Sequence, residues 1–243
     1  MKSRYSRLVL ALLLFTMVGC GNDVTMTYHP NGQKESEGNL RDNKKHGLWT
    51  LWHKNGQKKS EEHYKDGKQD GQWTEWYENG KKKRESHFKN GKRDGLATWW
   101  DDMGRKGGET HYKDGKQDGL QAVWYENGKK KAELYYKNGE KDGLTTWWHE
   151  NGQKKSEIHF KDGKRENLTT IWHENGQKYS EAHWKNGKRD GFWTGWYQNG
   201  QKNFEVHYKN SKRDGFWTGW HQNGHKAVEQ LWKNGVEVSR FEF

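Results

Sequence analysis

The chain has 243 residues and a formal charge of +11, and Leu, Ile, Val and Phe together number 32 against 16 tryptophans. So little aliphatic surface excludes the thick core of a conventional globular enzyme, while the tryptophans, each able to bury roughly 150–250 Å², exclude a disordered tail. One proline among 30 glycines excludes a proline-rich linker or collagen, and no apolar run reaches the ~18 residues of a spanning helix.

Residues 1–19 read as an export signal. Lys2, Arg4 and Arg7 precede an apolar run from Leu8 to Val18, which ends at Gly19-Cys20. Met17-Val18-Gly19-Cys20 resembles the lipobox of bacterial lipoproteins, which implies that Cys20 is acylated and becomes the first mature residue. By the same resemblance Gly21, standing where aspartate would retain the protein at the inner membrane, favours the outer membrane and its periplasmic side. Several acyl carbons at ~0.8 kcal/mol per buried methylene make a strong anchor. Cys20 is the only cysteine, so no disulfide contributes to the fold. Residues 20–27 are expected to be the lipidated cysteine and a short tether.

From residue 28 to 243 the chain is periodic. Tyr28, Trp52, Trp76, Trp100, Trp124, Trp148, Trp172, Trp196 and Trp220 fall 24 residues apart without a slip. Asn-Gly follows each after three residues, except where Met103-Gly104 keeps only the glycine. Five residues after each glycine stands a glutamate, from Glu37 to Glu229, and then an aromatic column containing Tyr64, Phe88 and Tyr112. A second turn signal closes the unit, as in Lys65-Asp66-Gly67-Lys68. Nine units of two short strands are predicted. Leu48-Trp49-Thr50-Leu51-Trp52 is rich in residues that suit a pleated, half-buried surface, and Asn-Gly supplies positive φ angles. A three-residue loop with Gly56 as a bulge is expected to pair Trp52 with Lys58 and Thr50 with Ser60. That register would unite the tryptophan column with Ser60, Glu62 and Tyr64 on one face. The fold class is therefore all-β: an elongated antiparallel β-hairpin ribbon or solenoid in which each unit packs mainly on its neighbours.

Gly47-Leu-Trp-Thr-Leu-Trp-His-Lys-Asn-Gly-Gln-Lys58, continuing to Tyr64-Lys-Asp-Gly-Lys and Gly71, resembles the bacterial variant of the MORN (membrane occupation and recognition nexus) repeat, many of whose members are called YwqK-type antitoxins. The resemblance covers residues 28–243 and implies a MORN-like repeat fold, with lipid or protein binding or an antitoxin role as the associated functions. Three departures stand out: Asp101-Asp102-Met103-Gly104 at a hairpin, Asn167 for a closing glycine and Ser211 for a second-turn glycine.

The repeated glutamates and the column His63, His87, His111, His159, His183 and His207 suggest metal or acid–base chemistry, but equivalent residues lie ~10 Å apart across two strands. A metal site needs three or four ligands on one ion, and a single Glu-x-His offers two. The glutamates are expected to pair with lysines such as Lys58 and Lys59. No nucleophile stands outside a repeated column, and the glycines are turn residues rather than a phosphate cradle. The chain is expected to be no enzyme, with no cofactor and no metal.

Removing Lys2, Arg4 and Arg7 leaves 41 basic against 33 acidic residues, a charge of +8. Lysines beside tryptophans suit single-stranded nucleic acid, but export argues against that partner. Anionic lipid, acidic glycan or protein is the expected partner class. Trp49, Trp73, Trp99, Trp147, Trp193 and Trp217 stand on the parity opposite to the regular tryptophans, sharing two columns with Glu75, Ala97, Gln121, Thr145, Gly195 and Gly219. Such rings either pack along the back of the sheet or form a patchy platform, and these six tryptophans are the candidate partner-binding residues. The expected function is a non-catalytic envelope lipoprotein that binds a protein, glycan or lipid surface; the alternative is a toxin-neutralising antitoxin or immunity protein.

Overall fold

The computed structural model describes residues 23–243. The segment expected to be an export signal, Cys20 and Gly21 lie outside the described residues. The described chain is all-β and antiparallel, and it divides into two compact units, one ending at Gly104 and one beginning at Arg105. Each is an open meander in which successive strands pair in chain order. In the first unit the strand Asp23–Tyr28 pairs with Lys34–Arg41, which pairs with Lys44–Trp52, and so on to Gly95–Trp100. The second runs likewise from Lys106–Lys113 to Val236–Glu242. The first strand begins inside the segment expected to be tether, because Val24, Met26 and Tyr28 alternate and pair with Asn39, Glu37 and Lys34.

Two turn types alternate. At the Asn-Gly turn the His53 N–H donates to the Gln57 carbonyl (2.8 Å) and the Gly56 N–H to the His53 carbonyl (2.9 Å), with Gly56 at φ +82°. This is the expected three-residue loop. The second turn is a two-residue type: Lys65 faces Lys68 across Asp66 (φ 50°) and Gly67 (φ 82°), both left-handed, which matches the strand twist. The three departures keep these geometries. Gly104 closes on the Asp101 carbonyl at 2.9 Å, and Asn167 (φ 58°) and Ser211 (φ 65°) take the left-handed conformation themselves.

The expected register fails one step beyond the loop. Trp52 does face Lys58, but Leu51 faces Ser60 and Thr50 faces Glu61. A bulge leaves Lys59 unpaired and flips the parity of the rest of the strand. The same shift recurs at Thr27/Tyr28, Glu75/Trp76, Val123/Trp124 and Trp147/Trp148. Ser60, Glu62 and Tyr64 therefore share a face with Trp49, and Lys58, Glu61 and His63 share one with Trp52. The bulge has a chemical consequence. Residues three apart in an unbroken strand point to opposite faces, yet here Lys58 Nζ reaches Glu61 at 2.5 Å, and Lys82–Glu85 (2.9 Å), Lys178–Glu181 (2.7 Å) and Lys202–Glu205 (2.8 Å) repeat the pair.

We call the side bearing Trp52 the regular face and the side bearing Trp49 the variable face. On the regular face each lysine also lies over the tryptophan of the following hairpin: Lys58 over Trp76, Lys130 over Trp148 and Lys178 over Trp196, at 6.0, 5.7 and 5.6 Å from the ring centroid. On the variable face, bulk is conserved rather than sequence. Trp49 is followed by Leu51 and Trp193 by Gly195, whereas Trp99 follows Ala97 and Trp147 follows Thr145, so no strand carries two indoles there. Trp49, Ser86, Ala132, Leu134 and Val206 are buried on this face.

Candidate functional site

The histidine column is used by the backbone. A second bulge sets three residues, Asp70 to Gln72, against His63, and the His63 imidazole Nδ1 lies 3.0 Å from the Gln72 carbonyl. His111 and His183 do the same at the Leu120 and Phe192 carbonyls, at 3.1 and 3.2 Å. With the glutamates held by lysines, no group of three or more His, Cys, Asp or Glu converges on a point among the described residues.

Both rims are laced from hairpin to hairpin. At the Asn-Gly rim, Asn55 donates to the Glu78 carbonyl (2.9 Å) and Asn151 to the Glu174 carbonyl (2.8 Å), while Tyr125 and Tyr197 donate to the Trp148 and Trp220 carbonyls (2.7 and 2.8 Å). Burial raises the Tyr125 pKa, with Glu150 adding to it. Shallow recesses of about 390 Å³ open between these turns, one lined by Tyr125, Glu126, Asn127, Lys131 and Glu150. They are gaps in a repeated edge. At the opposite rim the carboxylates face inward: Asp118 accepts from the Asn138 N–H at 2.9 Å and Asp190 from the Asn210 N–H at 3.2 Å.

The six candidate tryptophans all lie on the variable face. Trp49 is the deepest, 6% exposed, with its indole N–H donating to the Asn39 carbonyl at 3.0 Å. Trp73 meets Phe88 edge-on at 6.0 Å. Trp193 meets Phe204 edge-on at 4.9 Å and Tyr208 at 6.1 Å, and it lies under the Arg189 guanidinium at 3.9 Å. Trp99, Trp147 and Trp217 are half-buried and face Arg84, Ser156 and Val206. The six are separate ridges, one per hairpin. Tyr64, on this face, donates to Glu62 at 2.5 Å; burial, then the Glu62 carboxylate, push its pKa well above the ordinary tyrosine value.

One feature of this face was missed in the sequence. Lys141, Arg165, Arg189 and Arg213 are 24 apart, each the second residue after a second turn, and each lies over an aromatic of the next strand pair: Phe160 (5.1 Å), Trp184 (4.8 Å), Tyr208 (5.5 Å) and Trp232 (4.7 Å). The 24-residue period of these four cations is the signal in the sequence that marks the column. On the regular face Leu48, Leu96, Phe192 and Phe216 are among the exposed apolar residues, with Phe192 edge-on to His207 at 5.0 Å.

Comparison with protein families matches the MORN repeat variant at residues 45–66, 69–90, 117–138, 141–162, 165–186 and 189–210, more than half of the chain. No curated protein matches it.

Proposed function

The chain belongs to the MORN repeat variant family, and we propose that it is a non-catalytic scaffold of a bacterial envelope, anchored through an acylated Cys20, whose variable face binds a macromolecular partner. The observation that carries this reading is the contrast between the faces. On the regular face the tryptophans are covered by lysines that are themselves held by glutamates. On the variable face the aromatic set changes from hairpin to hairpin, and Lys141, Arg165, Arg189 and Arg213 lie over its rings. Rigid rings beside cations are the anchors a macromolecular partner uses.

The reaction chemistry of the columns is already spent on structure, which supports a scaffold rather than an enzyme: histidines hold bulge carbonyls, glutamates hold lysines, and rim carboxylates hold turn amides. The anchor rests on the sequence of residues 1–20. Cys20→Ala, expressed in the cell of origin and followed by fractionation, is expected to move the protein from the membrane to the soluble fraction. Persistence in the membrane fraction would remove the lipoprotein reading.

A further inference from the structure

From Lys141 to Arg213 the variable face of the second unit carries a line of alternating cations and aromatics. The pairs Phe160–Arg165, Trp184–Arg189 and Tyr208–Arg213 face each other on neighbouring strands, and Trp232 faces Glu237 at the end of the line. With strands ~4.8 Å apart, a cation recurs every ~10 Å with a ring between. None of Lys141, Arg165, Arg189 and Arg213 has a carboxylate within ion-pair distance among the described residues. The acidic side chain that follows each of them is engaged elsewhere: Asp142, Glu166, Asp190 and Asp214 accept from the N–H groups of Asp162 (3.2 Å), Asn186 (2.6 Å), Asn210 (3.2 Å) and Asn234 (3.2 Å). Arg189 is clasped by three rings, Trp193, Trp184 and Tyr208, at 3.9, 5.5 and 5.5 Å, and its Nε is buried without a hydrogen-bond partner.

Stacked guanidiniums are held in place and lose little entropy when they bind, which suits carboxylates at fixed intervals. We propose that this line binds an acidic polysaccharide bearing a carboxylate on every second sugar, one sugar lying over each strand and one carboxylate meeting each cation. The proposal rests on the reading of the variable face as the binding surface and names its ligand. Single-stranded nucleic acid fits less well, because bases stack on free ring faces and these faces are covered by guanidinium. An anionic membrane surface would impose no spacing.

The test uses the full chain in neutral detergent micelles, with or without the acyl group. Calorimetry measures binding of hyaluronan oligosaccharides, in which glucuronate alternates with an uncharged sugar, against neutral dextran, fully charged oligogalacturonate and oligo-dT. The expected result is that hyaluronan binds most tightly, that added salt weakens it, and that Arg165→Gln/Arg189→Gln/Arg213→Gln weakens it by about tenfold or more. Circular dichroism establishes that the triple variant is folded; if it is not, the corresponding triple Arg→Lys variant is used, in which weaker hyaluronan binding supports the stacked guanidiniums as the contacts and unchanged binding overturns the proposal. Unchanged binding by the folded triple variant overturns the proposal, as does tighter binding of oligo-dT. Trp147→Ala/Trp217→Ala separates the two readings: if it abolishes hyaluronan binding while the arginine variant does not, the face survives and the cation line fails. If neither variant matters, both readings fail.

Discussion

Replacing Gly38 by alanine should destabilise the first unit when Trp49 is present and stabilise it when Trp49 is absent. The Trp49 indole lies flat on the Gly38 backbone: a Cβ there would sit 2.2 Å from Cδ2, 2.4 Å from Cε2 and 2.5 Å from Cγ of the ring. Gly38 does not have a positive φ, so alanine itself is not strained; the whole cost is the collision. The indole must lift, which gives up burial and its hydrogen bond to Asn39, and overpacking of this kind costs ~1–3 kcal/mol. Trp49→Ala alone should cost ~3–5 kcal/mol. In that background the ring is gone, and Gly38→Ala should stabilise by ~0.4–1 kcal/mol, because alanine restricts the unfolded chain. The effect of one methyl therefore changes sign, with a coupling of ~1.5–4 kcal/mol. Repeat arrays need not unfold in one step, so the assay is hydrogen exchange across residues 34–52, read by mass spectrometry in all four proteins. Equal effects of Gly38→Ala in the two backgrounds would refute the packing assigned to the variable face.

Two further outcomes follow from local geometry. Ser211 occupies a left-handed position but accepts a hydrogen bond from the Arg189 N–H at 3.1 Å. Ser211→Gly relieves strain and loses that bond, so the two nearly cancel, whereas Ser211→Ala loses the bond and keeps the strain; urea melts should rank alanine last by ~1 kcal/mol. The raised Tyr64 pKa means that the folded state holds a proton that the unfolded chain releases near pH 10. Its stabilisation is complete below that pH and is lost as pH rises toward the folded value. Denaturation midpoints between pH 8 and 11 should fall less in Tyr64→Phe than in the native chain, and parallel curves would contradict the Tyr64–Glu62 contact.

The turns and the two-strand unit were legible in the sequence because they depend on residues with few alternatives: Asn-Gly and Asp-Gly at left-handed positions, and a tryptophan every 24 residues. The register was not. The bulge falls on Lys59, just after the pair of Trp52 with Lys58, and nothing in two adjacent lysines shows that the second is skipped before Ser60. That single unpaired residue decided which side chains share a face, and so moved Ser60 and Tyr64 from the regular to the variable tryptophans. The candidate rings Trp49 to Trp217 were found from parity, which the bulge does not disturb within the first strand. The cation line was hidden for a different reason. Arg165 and Trp184 are 19 residues apart, and only the paired register brings the two columns into one row.

A photo-reactive diazirine residue at single positions, activated in the cell of origin, tests the assignment of the binding face most directly. Probes at Trp147 and Trp217, on the variable face, should form adducts of higher mass, and probes at Trp172 and Phe216, on the regular face, should not. Adducts confined to Trp172 and Phe216, or absent from all four positions, would contradict it.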